Sequence, residues 1–144
     1  MVIPLPQPAL SKEECHQLQA AALRVRESIL RMVYDSGSGH VGSALSQTDI
    51  LVALYQRALR VDPNRLDWPE RDRFVLSKGH GGLGLAAVLA DCGLIKSEDL
   101  STFGKTGSAL GMHMHHSRVP AIEAATGSLG HGSGIAVGMA LGVR

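Results

Sequence analysis

The sequence predicts an α/β domain, with helices around a short parallel sheet that is incomplete in this chain. Helical apolar periodicity alternates with two short apolar runs, Arg73-Phe74-Val75-Leu76 and Ile122 to Thr126, as in strands joined by helices. Those two runs are the only strand candidates, and a stable sheet normally needs three or more. The class follows from the alternation, and the incompleteness from the shortage of strands.

The first element opens at Ser11-Lys12-Glu13-Glu14, a capping box in which the Ser11 hydroxyl and the Glu14 carboxylate satisfy each other's backbone N–H groups. Leu18, Ala22, Val25, Ile29 and Val33 then recur at helical steps, so one face is apolar. Ser36-Gly37-Ser38-Gly39 is turn chemistry and predicts a stop near Tyr34. Ser46-Gln47-Thr48-Asp49 is expected to open a second helix with Ile50, Leu51, Leu54 and Ala58 on one side. Asp62-Pro63-Asn64 and Trp68-Pro69 break regular structure. A third helix is expected over Gly79 to Asp91, stopped by Gly93, and a short fourth one from Ser97. Thr106 to Pro120 has no period and reads as a loop, and a last helix of small residues is expected from Ile135.

The 144 residues suit one domain, with 1–10 as an extended lead-in and 11–144 as the folded part. At 44% hydrophobic and 19% charged, the chain can bury a core. A net charge of +1 without a basic run argues against a nucleic-acid arm or a membrane-surface patch. No apolar stretch reaches the roughly 18 residues that span a bilayer. The start carries Pro4, Pro6 and Pro8 and no basic segment, unlike a signal peptide. Cys15 and Cys92 lack metal spacing and read as reduced, partly buried thiols of a cytoplasmic protein.

Three histidines sit in glycine-rich or irregular backbone: His40 after Ser38-Gly39, His80 after Lys78-Gly79, and His113 within Gly111-Met112-His113-Met114. Imidazole moves protons near neutral pH, and neighbouring glycine lets a ligand approach the backbone. Any one of them alone is equally an ordinary loop histidine. His113, His115 and His116 could meet a metal, but no cysteine or carboxylate pair accompanies them, so no metal ligand is assigned. Thr126-Gly127-Ser128-Leu129-Gly130-His131-Gly132 leads into a helix, and exposed N–H groups at such a turn suit a diphosphate. It fits neither the dinucleotide fingerprint nor a P-loop. The small residues Ser133, Gly134, Ala136, Gly138, Ala140 and Gly142 also allow close helix packing, and both uses are compatible.

Taken in order, these segments resemble the transketolase family. Ser38-Gly39-His40-Val41-Gly42 with Ser46 and Asp49 resembles its S-G-H-x-G-x-x-x-S-x-x-D segment. Asp72 to His80 is similar to its D-R-F-V-L-S-K-G-H block, and Thr126 to Gly132 to its T-G-S-L-G-Q-G turn. The resemblance runs from about Ser11 onward. Two departures stand out: Met114 where the family has proline, and His131 where it has glutamine.

The resemblance implies a partial thiamin-diphosphate-binding fold and, with Mg²⁺, transfer of a two-carbon ketol unit between sugar phosphates. It places His40 and His113 at the donor's hydroxyls and the reacting carbon's oxygen, and His80 near diphosphate and substrate. Gly127, Ser128 and Leu129 would lie along the diphosphate. The family's G-D-G motif and its asparagine, which hold the metal, would follow Arg144. A complementary chain carrying the G-D-G and pyrimidine-binding segments is therefore the expected partner, making this the N-terminal subunit or fragment of a split transketolase. The alternatives are a non-catalytic remnant or interaction module, and a subunit like 1-deoxyxylulose-5-phosphate synthase.

Overall fold

A computed structural model describes residues 9–143, so most of the expected lead-in lies outside the described residues. Helix α1 runs Lys12–Ser36 and opens on the expected capping box. Ser11 N–H donates to Glu14 Oε2 at 2.8 Å, and Glu14 N–H to Ser11 Oγ at 3.1 Å. Glu13 and Glu14 also place negative charge at the positive end of the helix dipole. The helix closes two residues later than expected, where Gly37 turns left-handed (φ 64°) and donates to Val33 O. Ala22, Val25 and Ile29 are buried, with Leu18 and Val33 packed beside them, so the predicted apolar face is the one that faces the core.

Helix α2 spans Val41–Ala53, beginning five residues before the expected start at Ser46. Ser46 is not a cap: its hydroxyl bonds back to Ser43 O within the helix. The entry is set instead by Gly39, whose φ of 146° strongly disfavours other residues and whose Cα lies flush on the Leu83 side chain. The buried face is Ala44, Gln47, Thr48, Leu51 and Val52, whereas Ile50 points to solvent. The helix then widens into a π turn, Leu54–Ala58, closed by Leu59 N–H to Leu54 O, which leaves Tyr55 inside and Ala58 exposed.

A 3-10 turn, Gly79–Gly81, leads into α3, Gly82–Asp91, which Gly93 terminates as expected. Nine consecutive residues of α3, Gly82 to Ala90, are buried. A helix apolar on every side must be surrounded, and α1 and α2 pack on α3 and on each other. Each fully buried leucine or valine there contributes about 1.5–3 kcal/mol. A 3-10 segment, Ser97–Thr102, caps this core, with Phe103 fully buried behind it. The stretch to Pro120 is irregular, yet Leu110, Met114 and Val119 are buried. Burying Met114 answers the departure from proline: its side chain fills the core.

The expected sheet is absent among the described residues. Residues 73–76 and 122–126 run beside each other, tied by the Arg71–Glu123 ion pair and by Thr126 Oγ1 donating to Leu76 O at 2.5 Å. Phe74, Leu76, Ile122 and Ala124 line a small apolar gap between them. A strand needs a neighbour about 4.8 Å away with a ladder of N–H···O=C bonds. Among the described residues, the nearest backbone bond of that kind is a single one just past both stretches, Gly130 N–H to Ser77 O at 3.4 Å.

Helix α4, His131–Gly142, starts four residues before the expected Ile135. Gly130 in left-handed conformation (φ 89°) makes that early start possible. Only Gly132 of α4 is buried, against Ser77, and Val137 and Leu141 are each 61% exposed. Gly134, Gly138 and Gly142 meet no neighbour among the described residues, so close packing along α4 is not realised there.

Candidate functional site

The N-terminal end of α2, the Gly79–Gly81 turn, His113 and the Thr126–Gly132 turn meet around Thr126 and Gly79. His40 is the residue before α2 and caps it with its carbonyl, which accepts from Ala44 N–H at 3.0 Å. Its ring is therefore carried on a helix end rather than on a free loop. His80 is the middle residue of the 3-10 turn and meets His40 edge to face, with ring centroids 5.6 Å apart.

Thr126 joins the two halves of this surface. Its carbonyl bonds His113 Nδ1 at 2.9 Å, and the Cα of Gly79 sits against the same carbonyl, so no side chain fits at residue 79. With Nδ1 donating to a carbonyl, His113 keeps Nε2 as its other ring nitrogen for a ligand. Gly127 lies against the His113 ring, at ordinary van der Waals distance from any added Cβ. The predicted residues thus assemble as two pairs, His40 with His80 and His113 with Gly127, linked through Gly79 and Thr126.

Downstream of Gly127 the turn is open. Gly127, Ser128 and Leu129 are exposed, and their N–H groups donate to no acceptor among the described residues. Residues 124–134 contain no acidic side chain. Free N–H donors ahead of a helix start, without competing carboxylates, suit a diphosphate. His131 N–H and Gly132 N–H are already used, on Ser128 O and Ser77 Oγ.

The residues present do not fit a metal. No group of three or more His, Cys, Asp or Glu side chains gathers among the described residues. His115 and His116 stack on each other at 4.4 Å, and His115 Nδ1 is engaged by Ser117. A Mg²⁺ ion at the diphosphate would need ligands from outside these residues.

Sequence reasoning missed the supports. Lys78 Nζ donates to Ser43 O and Ser46 Oγ, and Gln47 Nε2 donates to Gly81 O. Gln47 is a polar member of a largely apolar buried face, which is the signal that could have found it. A cavity of about 440 Å³ lies elsewhere, between α1, the end of α3 and residues 97–101, and holds none of the predicted residues.

A turn of free N–H groups suits an anion, and the imidazoles beside it suit proton transfer near neutral pH. The comparisons with known proteins give the family. Residues 16–144 match the family described as transketolase, thiamine diphosphate binding domain, and the chain belongs to that family. It is 46% identical over 132 residues to the 6-deoxy-6-sulfo-D-fructose transketolase subunit SqwG of Clostridium sp. (strain MSTE9), covering 92% of this chain and 48% of that protein. It is 40% identical to an apulose-4-phosphate transketolase subunit of Actinobacillus succinogenes, covering 89% of this chain and 47% of that one. Among solved structures, transketolase from Leishmania mexicana superposes with a TM-score of 0.81 at 31% identity, over 86% of this chain and 19% of that one. The chain spans about half the length of the two curated relatives.

Proposed function

We propose that this chain supplies part of the thiamin-diphosphate-binding domain of a transketolase, which passes a two-carbon ketol unit from a ketose to an aldose. The observation that carries the reading is the convergence of His40 on His80, and of His113 on Gly127, about the shared Gly79–Thr126 contact. The family match and the names of the curated relatives support it. Residues 11–144 then form one portion of that domain.

Bound thiamin diphosphate supplies the nucleophilic carbon and the electron sink that ketol cleavage needs. In this proposal the N–H groups of Gly127, Ser128 and Leu129 donate to the diphosphate, with His80 beside it. His40 and His113 hold the donor's hydroxyls and exchange protons with the oxygen on the reacting carbon, work suited to imidazole near neutral pH. Mg²⁺ is held by the G-D-G segment and its asparagine, which with the pyrimidine-binding segment are transketolase parts outside these 144 residues. Two relatives are named for a sulfonated ketose and a sugar phosphate, which points to an anionic sugar as substrate here. With both cysteines free, a cytoplasmic setting belongs to the same reading.

Reconstitution tests it. This chain, combined with the complementary transketolase segments, is expected to give ketol transfer that requires thiamin diphosphate. A stable assembly that binds no thiamin diphosphate and transfers nothing overturns the reading. That result would favour a non-catalytic interaction module, for which the exposed Val137 and Leu141 of α4 are the supporting observation.

A further inference from the structure

His80 is gripped from both sides by the helix that carries His40. Two residues before it, Lys78 Nζ donates to Ser43 O and to Ser46 Oγ, both at 3.0 Å. One residue after it, Gly81 O accepts from Gln47 Nε2 at 2.5 Å. Ser43, Ser46 and Gln47 all belong to α2, whose first turn closes on the His40 carbonyl. One rigid element therefore sets the height of both rings.

The fit around Gln47 is tight. Gln47 is only 8% exposed and shares its face with the buried Ala44, Thr48, Leu51 and Val52. A Cβ on Gly81 would come within 2.5 Å of the Gln47 amide, and one on Gly84 within 2.8 Å. An amide buried among apolar groups is costly unless bonded, and its bond goes to the turn that presents His80.

We infer that Gln47 and Lys78 are positioning residues, clamping the Lys78–Gly81 segment to α2 so that the His80 ring is held against His40. Neither touches substrate or cofactor in this role; they act through His80. The inference rests on the functional reading of the histidines above, but its geometric half can be measured separately.

The experiment uses the assembled thiamin-diphosphate enzyme containing this chain, with isotope-labelled histidine rings followed by NMR alongside steady-state kinetics. Gln47→Met keeps size and apolar contact while removing the bond to Gly81 O. It is expected to shift the His80 and His40 ring signals, leave those of exposed His16 in place, and lower turnover roughly tenfold or more. In a His80→Ala background the same substitution is expected to cause no further loss. Ser46→Ala, at an exposed position, removes one Lys78 partner and provides a milder variant, with a smaller shift of the same signals, should Gln47→Met fail to fold. Unmoved His80 signals in the folded variants overturn the clamp. So does a Gln47→Met loss that simply adds to that of His80→Ala, because a general structural role would behave that way. If His80→Ala alone leaves turnover intact, the functional reading of His80 fails, and the ring signals still decide whether the clamp exists.

Discussion

His40 and His80 meet edge to face, ring centroids 5.6 Å apart at an interplanar angle of 81°. Forty residues separate them in sequence, and each follows a glycine. A ring pair of this kind adds about 0.5–1.5 kcal/mol, too little to hold two mobile loops together. Their meeting depends instead on α2, which begins at one ring and grips the turn carrying the other.

Loss of either His40 or His113 is expected to be a loss of chemistry and not of fold. His40→Ala and His113→Ala, in the reconstituted enzyme, should lower turnover by roughly 10²–10⁴, the range for lost acid–base groups. Both residues are exposed, so melting temperature should barely move. Steady-state rates with paired thermal melts check this, with exposed His16→Ala as the control. A change no larger than the control's makes them ordinary loop histidines.

The Arg71–Glu123 pair is the link whose removal should cost most stability. Its side chains are 15% and 13% exposed, and it joins the stretch before His80 to the stretch before Thr126. Arg71→Met leaves Glu123 largely buried and uncompensated, which should destabilise by about 3 kcal/mol. Replacing both, as Arg71→Met with Glu123→Leu, should recover most of that. Urea unfolding of the two variants decides it; equal losses would mean that the charge pair itself is not what matters.

Two glycines give opposite expectations. Gly79→Ala drives a Cβ into the Thr126 carbonyl, a backbone atom that cannot swing aside, and should cost about 1–3 kcal/mol. Gly127→Ala would place its Cβ 3.9 Å from the His113 ring, an ordinary contact, and should change stability by less than about 0.5 kcal/mol. Denaturation midpoints compare them directly.

Burial first, and Asp91 second, push the Cys92 thiol up to about 11 against a usual 9.0. The group is neutral in the fold at a pH where the unfolded chain would ionise it. Its contribution to stability is therefore complete below pH 9 and lost as pH rises toward 11. In a Cys15→Ser variant, Cys92 alkylation should be slow at neutral pH and climb about tenfold per pH unit up to its pKa. A rate already flat by pH 9 contradicts the assignment.

The sequence carried the local signals well and the tertiary ones poorly. The Ser11–Glu14 capping box, the α1 face and the Gly93 stop rest on contacts within a few residues, and the structure has all three. The start of α2 differs from expectation because Ser46 looks like a cap in isolation, whereas Gly39 sets the start through its fit on Leu83, distant in sequence. The two apolar runs read as strands, yet strand character requires a partner ladder that the described residues do not contain. The three histidines stand out in the sequence because imidazole in glycine-rich backbone is chemically distinctive, and the structure gathers His40 with His80 and His113 with Gly127. Gln47 and Lys78 do not stand out, since their role exists only once α2 and the Gly79–Gly81 turn are side by side.

The central claim is that the turn at Gly127, Ser128 and Leu129 receives the diphosphate of thiamin diphosphate. It is tested most directly by calorimetric titration of the cofactor into the assembled protein, wild type against Gly127→Asp. Gly127 is exposed and its neighbouring N–H groups are free, so the new carboxylate can be accommodated without unfolding. It would place negative charge where the diphosphate is proposed to sit. The expected result is a fall in affinity of roughly a hundredfold or more, with melting temperature unchanged without cofactor. Wild-type affinity in the folded variant would contradict the claim.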